Sequence, residues 1–162
     1  MDSAGTHLLV TSGSTVDLQR RYLRLHQWVY ERSGGWVGHR MTGSRSLLLH
    51  TTGRRTGKRR TTALIDAPHG ADYVLVASNH ARDRPPSWQL NIEADPRAEI
   101  QIARRRATGT ARVVEASDPD HARLWARANA VNRNRHNGYQ SRTSRPIPLV
   151  VVTPDEPADD AR

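Results

Sequence analysis

The spacing of apolar residues predicts an amphipathic helix near the start of the chain. Leu18, Tyr22, Leu25 and Val29 recur at the helical period, so residues 14–34 are expected to form a helix. Its other face carries arginines. Such a face could rest on an anionic membrane surface, although packing on the domain with the arginines in solvent is the commoner arrangement.

Short runs of β-branched and apolar residues after this segment predict strands. The six runs are residues 47–52, 61–67, 73–78, 99–103, 109–115 and 147–153. A short helix is predicted between Pro86 and Pro96, and another begins at Ser117 to Asp120 and runs through Ala128. No regular alternation of strands and helices demands a parallel sheet. The expected fold is therefore α+β, with mainly antiparallel strands forming a small β-barrel.

The length of 162 residues fits a single domain. We predict a flexible N-terminus over 1–13, one domain over 14–153 and a disordered acidic tail over 154–162. No apolar run approaches the roughly 20 residues that span a bilayer, and the polar start lacks the pattern of a secretory signal. These features predict a cytoplasmic protein, with membrane association through residues 14–34 left open. Monomer and homodimer both remain open.

The charged residues indicate an anionic partner. The formal net charge is +9 and Lys58 is the only lysine, so nearly all the positive charge is guanidinium, which binds phosphate and carboxylate. A solvated arginine surface that reflects genome composition is the plainer alternative. Cysteine is absent, which excludes disulfides, thiolate metal sites and thiol nucleophiles. Any redox chemistry must therefore come from a cofactor.

A basic segment over residues 51–62 joins two predicted strands. Gly53 and Gly57 let its backbone turn tightly, and five cations crowd the connection: Arg54, Arg55, Lys58, Arg59 and Arg60. An anion would relieve their repulsion. The glycine spacing and the residue after the lysine do not match a P-loop, which disfavours a nucleotide triphosphatase. A solvated basic hairpin is the alternative.

Two further polar segments are candidates for a site. The first is Ala77-Ser78-Asn79-His80 at a strand end, followed by Trp88 and Asn91 on one face of the short helix. Core packing is the competing explanation for the tryptophan. The second covers residues 137–146, which are expected to form a loop that acts as a lid or pocket rim. The histidine spacing matches no metal motif, and no serine-hydrolase elbow occurs, so no metal site is predicted.

Four groups of residues occur in an order typical of a known family. They are Thr51-Thr52-Gly53-Arg54 with Gly57 and Arg60, then Ala77-Ser78, then Pro86, Trp88 and Asn91 with Ala94 and Pro96, and finally Tyr139-Gln140-Ser141 with Thr143, Arg145, Ile147 and Pro148. Over about residues 14–153 the chain resembles the deazaflavin-dependent nitroreductase family of actinobacteria. The resemblance implies a split β-barrel related to FMN-binding oxidoreductases. It also implies the reduced deazaflavin coenzyme F-420 as hydride donor and a quinone or a nitroaromatic as acceptor.

The resemblance also assigns roles to individual residues. Arg54, Gly57 and Arg60 would hold the cofactor's phosphate and glutamate tail. The residues that would line its tricyclic ring are Ser78, Trp88 and Asn91. The full set of cofactor-binding candidates is Arg54, Arg55, Thr56, Gly57, Lys58, Arg60, Thr62, Ala77, Ser78, Asn79, Pro86, Trp88 and Asn91.

The chain departs from the family pattern at several positions. Arg55 stands where relatives often have lysine, which keeps the charge but changes its geometry. Arg133 and His136 occupy the places of two tyrosines that precede Tyr139, which disfavours nitroimidazole reduction. Asn79 and Pro85 also replace more usual residues, so the ring pocket is expected to differ in shape. These departures concern the cofactor ring and the acceptor more than the cofactor tail.

Hydride transfer requires an acceptor stacked on the cofactor and a proton for the acceptor oxygen. The candidate catalytic residues are Tyr139, Ser78 and His136, with Tyr139 the first choice as proton donor. A non-catalytic module that binds nucleic acid through its arginines is the alternative of another class, but the basic hairpin contains no aromatic residue for base stacking. A third possibility keeps the fold and binds FMN instead, or only carries a cofactor.

Overall fold

A computed structural model describes residues 46–156 as one curled antiparallel sheet with three helices against it. The strands are β1 (Ser46–Thr52), β2 (Arg59–Ile65), β3 (Ala67–His69), β4 (Asp72–Val76), β5 (Arg97–Ile102), β6 (Arg105–Val114) and β7 (Leu149–Pro154). The helices are α1 (Ser87–Ala94), α2 (His121–Val131) and α3 (Arg135–Gln140). A 3₁₀ turn covers Asn79–Ala81.

The sheet has the strand order β2-β1-β5-β6-β7-β4-β3, and all of these pairs are antiparallel. Strands β2 and β4 also lie close together, which curls the sheet toward a barrel. The predicted α+β split barrel is thereby confirmed. The described residues hold seven strands instead of the predicted six, because the run 61–67 divides at Asp66 into the end of β2 and the start of β3. A short hairpin with Gly70 at φ +63° then leads into β4.

Period-two alternation along the strands builds two apolar clusters on opposite faces of the sheet. Leu75 and Val150 belong to the inner cluster, with Trp88 from α1. Their neighbours Val74 and Val151 belong to the outer cluster and pack toward α2. Because consecutive side chains point to opposite faces, strands β4, β6 and β7 contribute to both clusters. The side chains of Trp88 and Ile92 fix helix α1 against the inner cluster. The candidate site lies beside this helix.

The last helix differs from the sequence expectation. Residues 137–146 were expected to form a loop, but α3 extends to Gln140. The chain enters α3 through a left-handed residue, Asn134 (φ 59°), and the Asn129 side chain accepts the backbone N–H of Asn137 at 3.0 Å. This tertiary hydrogen bond supports a helix that Gly138 in its middle disfavours. The loop therefore covers only the residues after α3.

Several predicted features lie at or beyond the limits of the described residues. The N-terminal segment 1–13 and the predicted helix over 14–34 lie outside residues 46–156, as do residues 157–162 of the acidic tail. Pro154 is the last residue of β7, and Asp155 forms an ion pair with Arg97 at 2.8 Å. Within residues 46–156, no helix is both long and apolar enough to span a bilayer.

Candidate functional site

The connection between β1 and β2 is a tight basic turn. The backbone N–H of Gly53 donates to the carbonyl of Lys58 at 2.8 Å, and the carbonyl of Gly53 accepts from Thr56 and Gly57. Gly57 has φ +63°, a left-handed conformation that glycine adopts without steric cost. A Cβ at Gly53 would lie 3.0 Å from the carbonyl oxygen of Lys58. The two glycines thus bring the flanking cations close to the backbone of the turn.

Asn91 on α1 fixes this hairpin to the helix. Its Oδ1 accepts the backbone N–H of Arg54 at 3.1 Å, and its Nδ2 donates to Oγ1 of Thr51 at 3.1 Å. The Asn91 side chain is buried, and its hydrogen bond to Thr51 is shielded from water. The position that the resemblance assigned to the cofactor ring therefore also has a structural role.

The loop between β4 and α1 has a strained backbone. Three consecutive residues with a Cβ have left-handed φ angles: 46° at Asn79, 56° at His80 and 64° at Ala81. The Ala81 N–H donates to the carbonyl of Ser78 at 2.9 Å, and the Asn79 Nδ2 donates to the carbonyl of Arg84 at 2.9 Å. Such strained segments persist only where surrounding contacts hold them, and they often lie at functional sites.

The hairpin, this loop and the first turn of α1 enclose a cleft of about 750 Å³. Its lining residues are Gly53, Arg54, Arg55, Thr56, Arg60, Thr61, Thr62, Asn79, Arg82, Arg84, Pro85, Ser87, Trp88, Leu90 and Asn91. The start of α1 lies at the cleft, so the positive end of the helix dipole adds to its potential. A volume of this size accommodates a cofactor or a drug-sized ligand.

Five guanidinium groups on two walls make the cleft positive. Arg54, Arg55 and Arg60 come from the hairpin, whereas Arg82 and Arg84 come from the strained loop. The described lining residues include no aspartate or glutamate, and in the described part of the chain none of the five arginines is in an ion pair. The donor set fits a ligand that carries phosphate or several carboxylates.

Two of the five hairpin cations, Lys58 and Arg59, do not line the cleft. Arg59 of β2 pairs with Glu99 of β5 at 3.0 Å, across the intervening strand β1, and Arg106 contacts the same carboxylate at 3.2 Å. Lys58 is exposed near the turn and does not line the cleft. The five hairpin cations are therefore divided among the cleft, which takes three arginines, an ion pair on the sheet at Arg59, and solvent at Lys58.

Trp88 and Leu90 give the cleft an apolar part. The Trp88 side chain is only 6% exposed and belongs to the inner cluster, yet it also lines the cleft. The two explanations for this tryptophan, core packing and ligand contact, are therefore compatible. The cleft combines a cationic end with an apolar wall, which suits a ligand with a flat ring and an anionic tail.

The structure brings together some of the predicted cofactor residues and separates others from the cleft. Those that line it are Arg54, Arg55, Thr56, Arg60, Thr62, Asn79, Trp88 and Asn91. Those that do not line it are Gly57, Lys58, Ala77, Ser78 and Pro86. Gly57 shapes the turn, and the carbonyls of Ser78 and Pro86 accept backbone hydrogen bonds in the loop and at the start of α1.

Arg82 and Arg84 were missed by the sequence reasoning. They lie in Arg82-Asp83-Arg84, between the strand-end motif at Ala77-Ser78 and the helix that begins at Ser87. Two arginines so close to both motifs were a usable signal. The left-handed turn that directs this segment to the cleft could not be predicted from Asn79, His80 and Ala81, because Ala81 disfavours that conformation and three consecutive left-handed residues with a Cβ are uncommon.

The proposed catalytic residues Tyr139 and His136 lie beside the cleft-forming loop instead of in the cleft lining. The half-buried ring of Tyr139 meets the His80 ring edge-on at a centroid distance of 6.2 Å, and the Arg142 guanidinium lies 5.1 Å from its centroid. His136 is 6% exposed and is hydrogen-bonded to Asn132 at 3.1 Å. Burial lowers the pKa of His136 from 6.5 to about 4, so it is neutral near pH 7. This favours Tyr139 over His136 as a proton donor.

Among the described residues, no group of three or more histidine, aspartate or glutamate side chains could hold a metal ion. The arginines, Trp88 and Leu90 of the cleft lining support anion binding beside an apolar wall.

Comparison with known proteins identifies the family of the chain. Residues 22–154 match the family model described as F420H(2)-dependent quinone reductase. The F420H(2)-dependent quinone reductase Rv1261c of Mycobacterium tuberculosis is 49% identical over 132 residues, which cover 81% of this chain and 89% of that protein. The predictions of an oxidoreductase and of a reduced deazaflavin as hydride donor are thereby confirmed.

Solved structures show the same fold. An F420-H2 dependent reductase matches with a TM-score of 0.59 and 30% identity, over 66% of this chain and 92% of that chain. A structure described as a domain-swapped dimer matches with a TM-score of 0.61 and 26% identity, over 87% of this chain and 99% of that chain. On the family model and the mycobacterial relative together, the chain belongs to the F420H(2)-dependent quinone reductase family.

Proposed function

We propose that this protein passes a hydride from the reduced deazaflavin to a quinone, with the arginine-lined cleft holding the cofactor. The observation that carries the proposal is the cleft itself. Its lining contains five arginines that form no ion pair with any described residue, and beside them lies the apolar side chain of Trp88. The deazaflavin has a flat ring at one end and a phosphate with a glutamate tail at the other. The two parts of the cleft match these two parts of the cofactor.

The residues present divide the binding task between them. Arg54, Arg55 and Arg60 would hold the phosphate, since three guanidiniums on one turn offer forked donors to an anion. Arg82 and Arg84 on the opposite wall would contact the carboxylates. The apolar wall would exclude water from the ring. The bound cofactor supplies a hydride, and the protein supplies its orientation.

The acceptor side is proposed to lie near the loop that carries Ser78 and the adjoining Tyr139. Negative charge develops on an acceptor oxygen as the hydride arrives, and a hydroxyl that donates a proton there stabilises it. Tyr139 is the proposed donor, because its ring already contacts His80 of that loop. Nitroaromatics are proposed as secondary acceptors, since they also accept a hydride and a proton.

A binding experiment tests the cofactor site. Titration of the purified protein with the deazaflavin, followed by its fluorescence, should saturate, whereas FMN should bind more weakly because it lacks the glutamate tail. We expect Arg60→Ala to weaken deazaflavin binding about ten- to hundredfold, the usual effect of losing a charged hydrogen bond. Arg104→Ala is the matched control, because Arg104 is exposed at the β5–β6 turn and does not line the cleft.

Two outcomes would contradict the proposal. Equal affinity of the wild type and Arg60→Ala would remove the hairpin from the cofactor site. Tighter binding of FMN than of the deazaflavin would indicate the same fold with another cofactor. The melting temperature of each variant should stay near that of the wild type, since both arginines are exposed.

A further inference from the structure

The side chain of Arg145, which follows α3, is bound to the backbone of the loop that forms one wall of the cleft. Its Nη2 donates to the carbonyl of Ala77 at 3.0 Å and to the carbonyl of Ser78 at 3.3 Å. Its Nε donates to the carbonyl of Arg82 at 3.4 Å. One half-buried guanidinium therefore joins the beginning of the left-handed turn to its end.

A neighbouring residue holds the same loop. Oγ1 of Thr143 hydrogen-bonds to Oδ1 of Asp83 at 3.1 Å. The segment that carries both contacts is itself fixed, because Nε2 of Gln140 donates to the carbonyls of Thr143 at 3.2 Å and Arg145 at 3.0 Å. Oε1 of Gln140 also accepts the backbone N–H of Ile147 at 2.9 Å, at the entry to β7. Through these contacts the loop is held at a fixed position relative to the start of β7.

The loop needs such support because its backbone is strained. Asn79, His80 and Ala81 all have left-handed φ angles, and a Cβ makes that region costly for residues other than glycine. Asparagine and histidine tolerate it better than most residues with a Cβ, whereas alanine has no polar side chain that compensates locally. Without external contacts, an exposed loop of this composition would relax toward other conformations.

We propose that Arg145 is a positioning residue that holds the left-handed turn Asn79–Ala81 and so keeps Arg82 and Arg84 in the cleft wall. Arg145 does not line the cleft and acts only through the loop. The identity of the ligand rests on the proposed function, but the positioning role does not. Removal of Arg145 should therefore loosen the loop in the free protein and weaken ligand binding as a consequence.

Limited trypsin digestion of the ligand-free protein tests the first half. The bond after Arg82 is a trypsin site, whereas the bond after Arg84 precedes Pro85 and resists cleavage. We expect Arg145→Ala to raise the initial rate of cleavage after Arg82 about tenfold, because proteolysis follows the population of opened loop. Cleavage after Arg104, in the β5–β6 turn, should stay unchanged and serves as the internal standard. An unchanged rate after Arg82 would overturn the proposal.

Deazaflavin affinity tests the second half, with Arg127→Ala as the matched control. Arg127 also donates from Nε to a backbone carbonyl, that of Pro68 at 2.9 Å, but it does not line the cleft or contact the loop. We expect Arg145→Ala to bind the deazaflavin about tenfold more weakly than the wild type. Arg127→Ala should bind as the wild type does. Equal affinity of Arg145→Ala and wild type would overturn the proposed effect on the cleft.

A rescue variant separates positioning from general destabilisation. Adding Ala81→Gly to Arg145→Ala removes one Cβ from the left-handed turn, and this should recover about threefold or more in both affinity and protease resistance. Arg145→Lys should fall between the wild type and Arg145→Ala, since one ammonium cannot span the carbonyls of Ala77 and Arg82. A double variant that is no better than Arg145→Ala would contradict the role of the strained turn. If the wild type itself binds no deazaflavin while the trypsin result holds, the proposed function fails and the positioning role survives.

Discussion

The burial of His136 predicts a specific dependence of stability on pH. In the folded protein its pKa is about 4, compared with 6.5 for an exposed histidine, because burial disfavours the charged form. Each pKa unit corresponds to about 1.4 kcal/mol, so the difference amounts to about 3 kcal/mol. The unfolded chain takes up the proton first as the pH falls. The free energy of unfolding is therefore highest above the unfolded pKa and decreases as the pH falls toward about 4.

Urea unfolding of the wild type and of His136→Gln measures this effect. Glutamine keeps an acceptor for the Asn132 amide but does not titrate. Between about pH 7 and about pH 4.5 we expect the wild type to lose about 2 kcal/mol more than the variant. The pKa of Asp155 is lowered by its hydrogen bonds with Arg97 and Thr108, so its loss at more acidic pH affects both proteins equally and cancels in the comparison.

The result that would refute this reasoning is an identical pH slope in wild type and His136→Gln. It would mean that His136 is accessible to protons in the folded state, and His136 would return as a candidate proton donor.

The remaining predictions concern the acceptor step and the sheet. Tyr139→Phe should bind the reduced deazaflavin nearly as well as the wild type but reduce menadione about 100- to 10,000-fold more slowly in single-turnover absorbance assays; equal rates would exclude Tyr139 as the proton donor. Gly109→Ala should lower the free energy of unfolding by about 1–3 kcal/mol, because its Cβ would clash with the Thr153 carbonyl oxygen on β7. Gly138→Ala is the control, since a Cβ there meets nothing within 4 Å among the described residues and alanine favours the helix; equal losses in both variants would contradict the packing argument.

The strands could be predicted from the sequence because each depends on a local pattern. The run Leu47–Leu49 is fully buried, and β4 and β7 alternate between the two clusters as period-two side chains must. The division of the run 61–67 at Asp66 and the helix over Arg135–Gln140 could not be predicted in the same way. The helix depends on a contact outside its own sequence, the hydrogen bond from the backbone N–H of Asn137 to the Asn129 side chain eight residues earlier.

The part of the candidate site that the hairpin forms could be predicted from the sequence. The hairpin glycines and arginines act within one turn, so their sequence spacing already indicates an anion site. The contribution of Arg82 and Arg84 depends on a left-handed turn held from the far end of the chain by Arg145. No local propensity encodes that contact. The proton donor remains a prediction, with the burial of His136 as the structural argument for Tyr139.

The two hydrogen bonds of Asn91 have a consequence for which molecules the cleft can select. They join the hairpin that carries Arg54 to the helix that carries Trp88, and the one to Thr51 is buried. The separation between the cationic end and the apolar wall is therefore set by the protein before any ligand arrives. The cleft therefore favours ligands in which the distance between the ring and the anionic group equals the distance between the apolar wall and the arginines. It disfavours shorter ligands of equal charge.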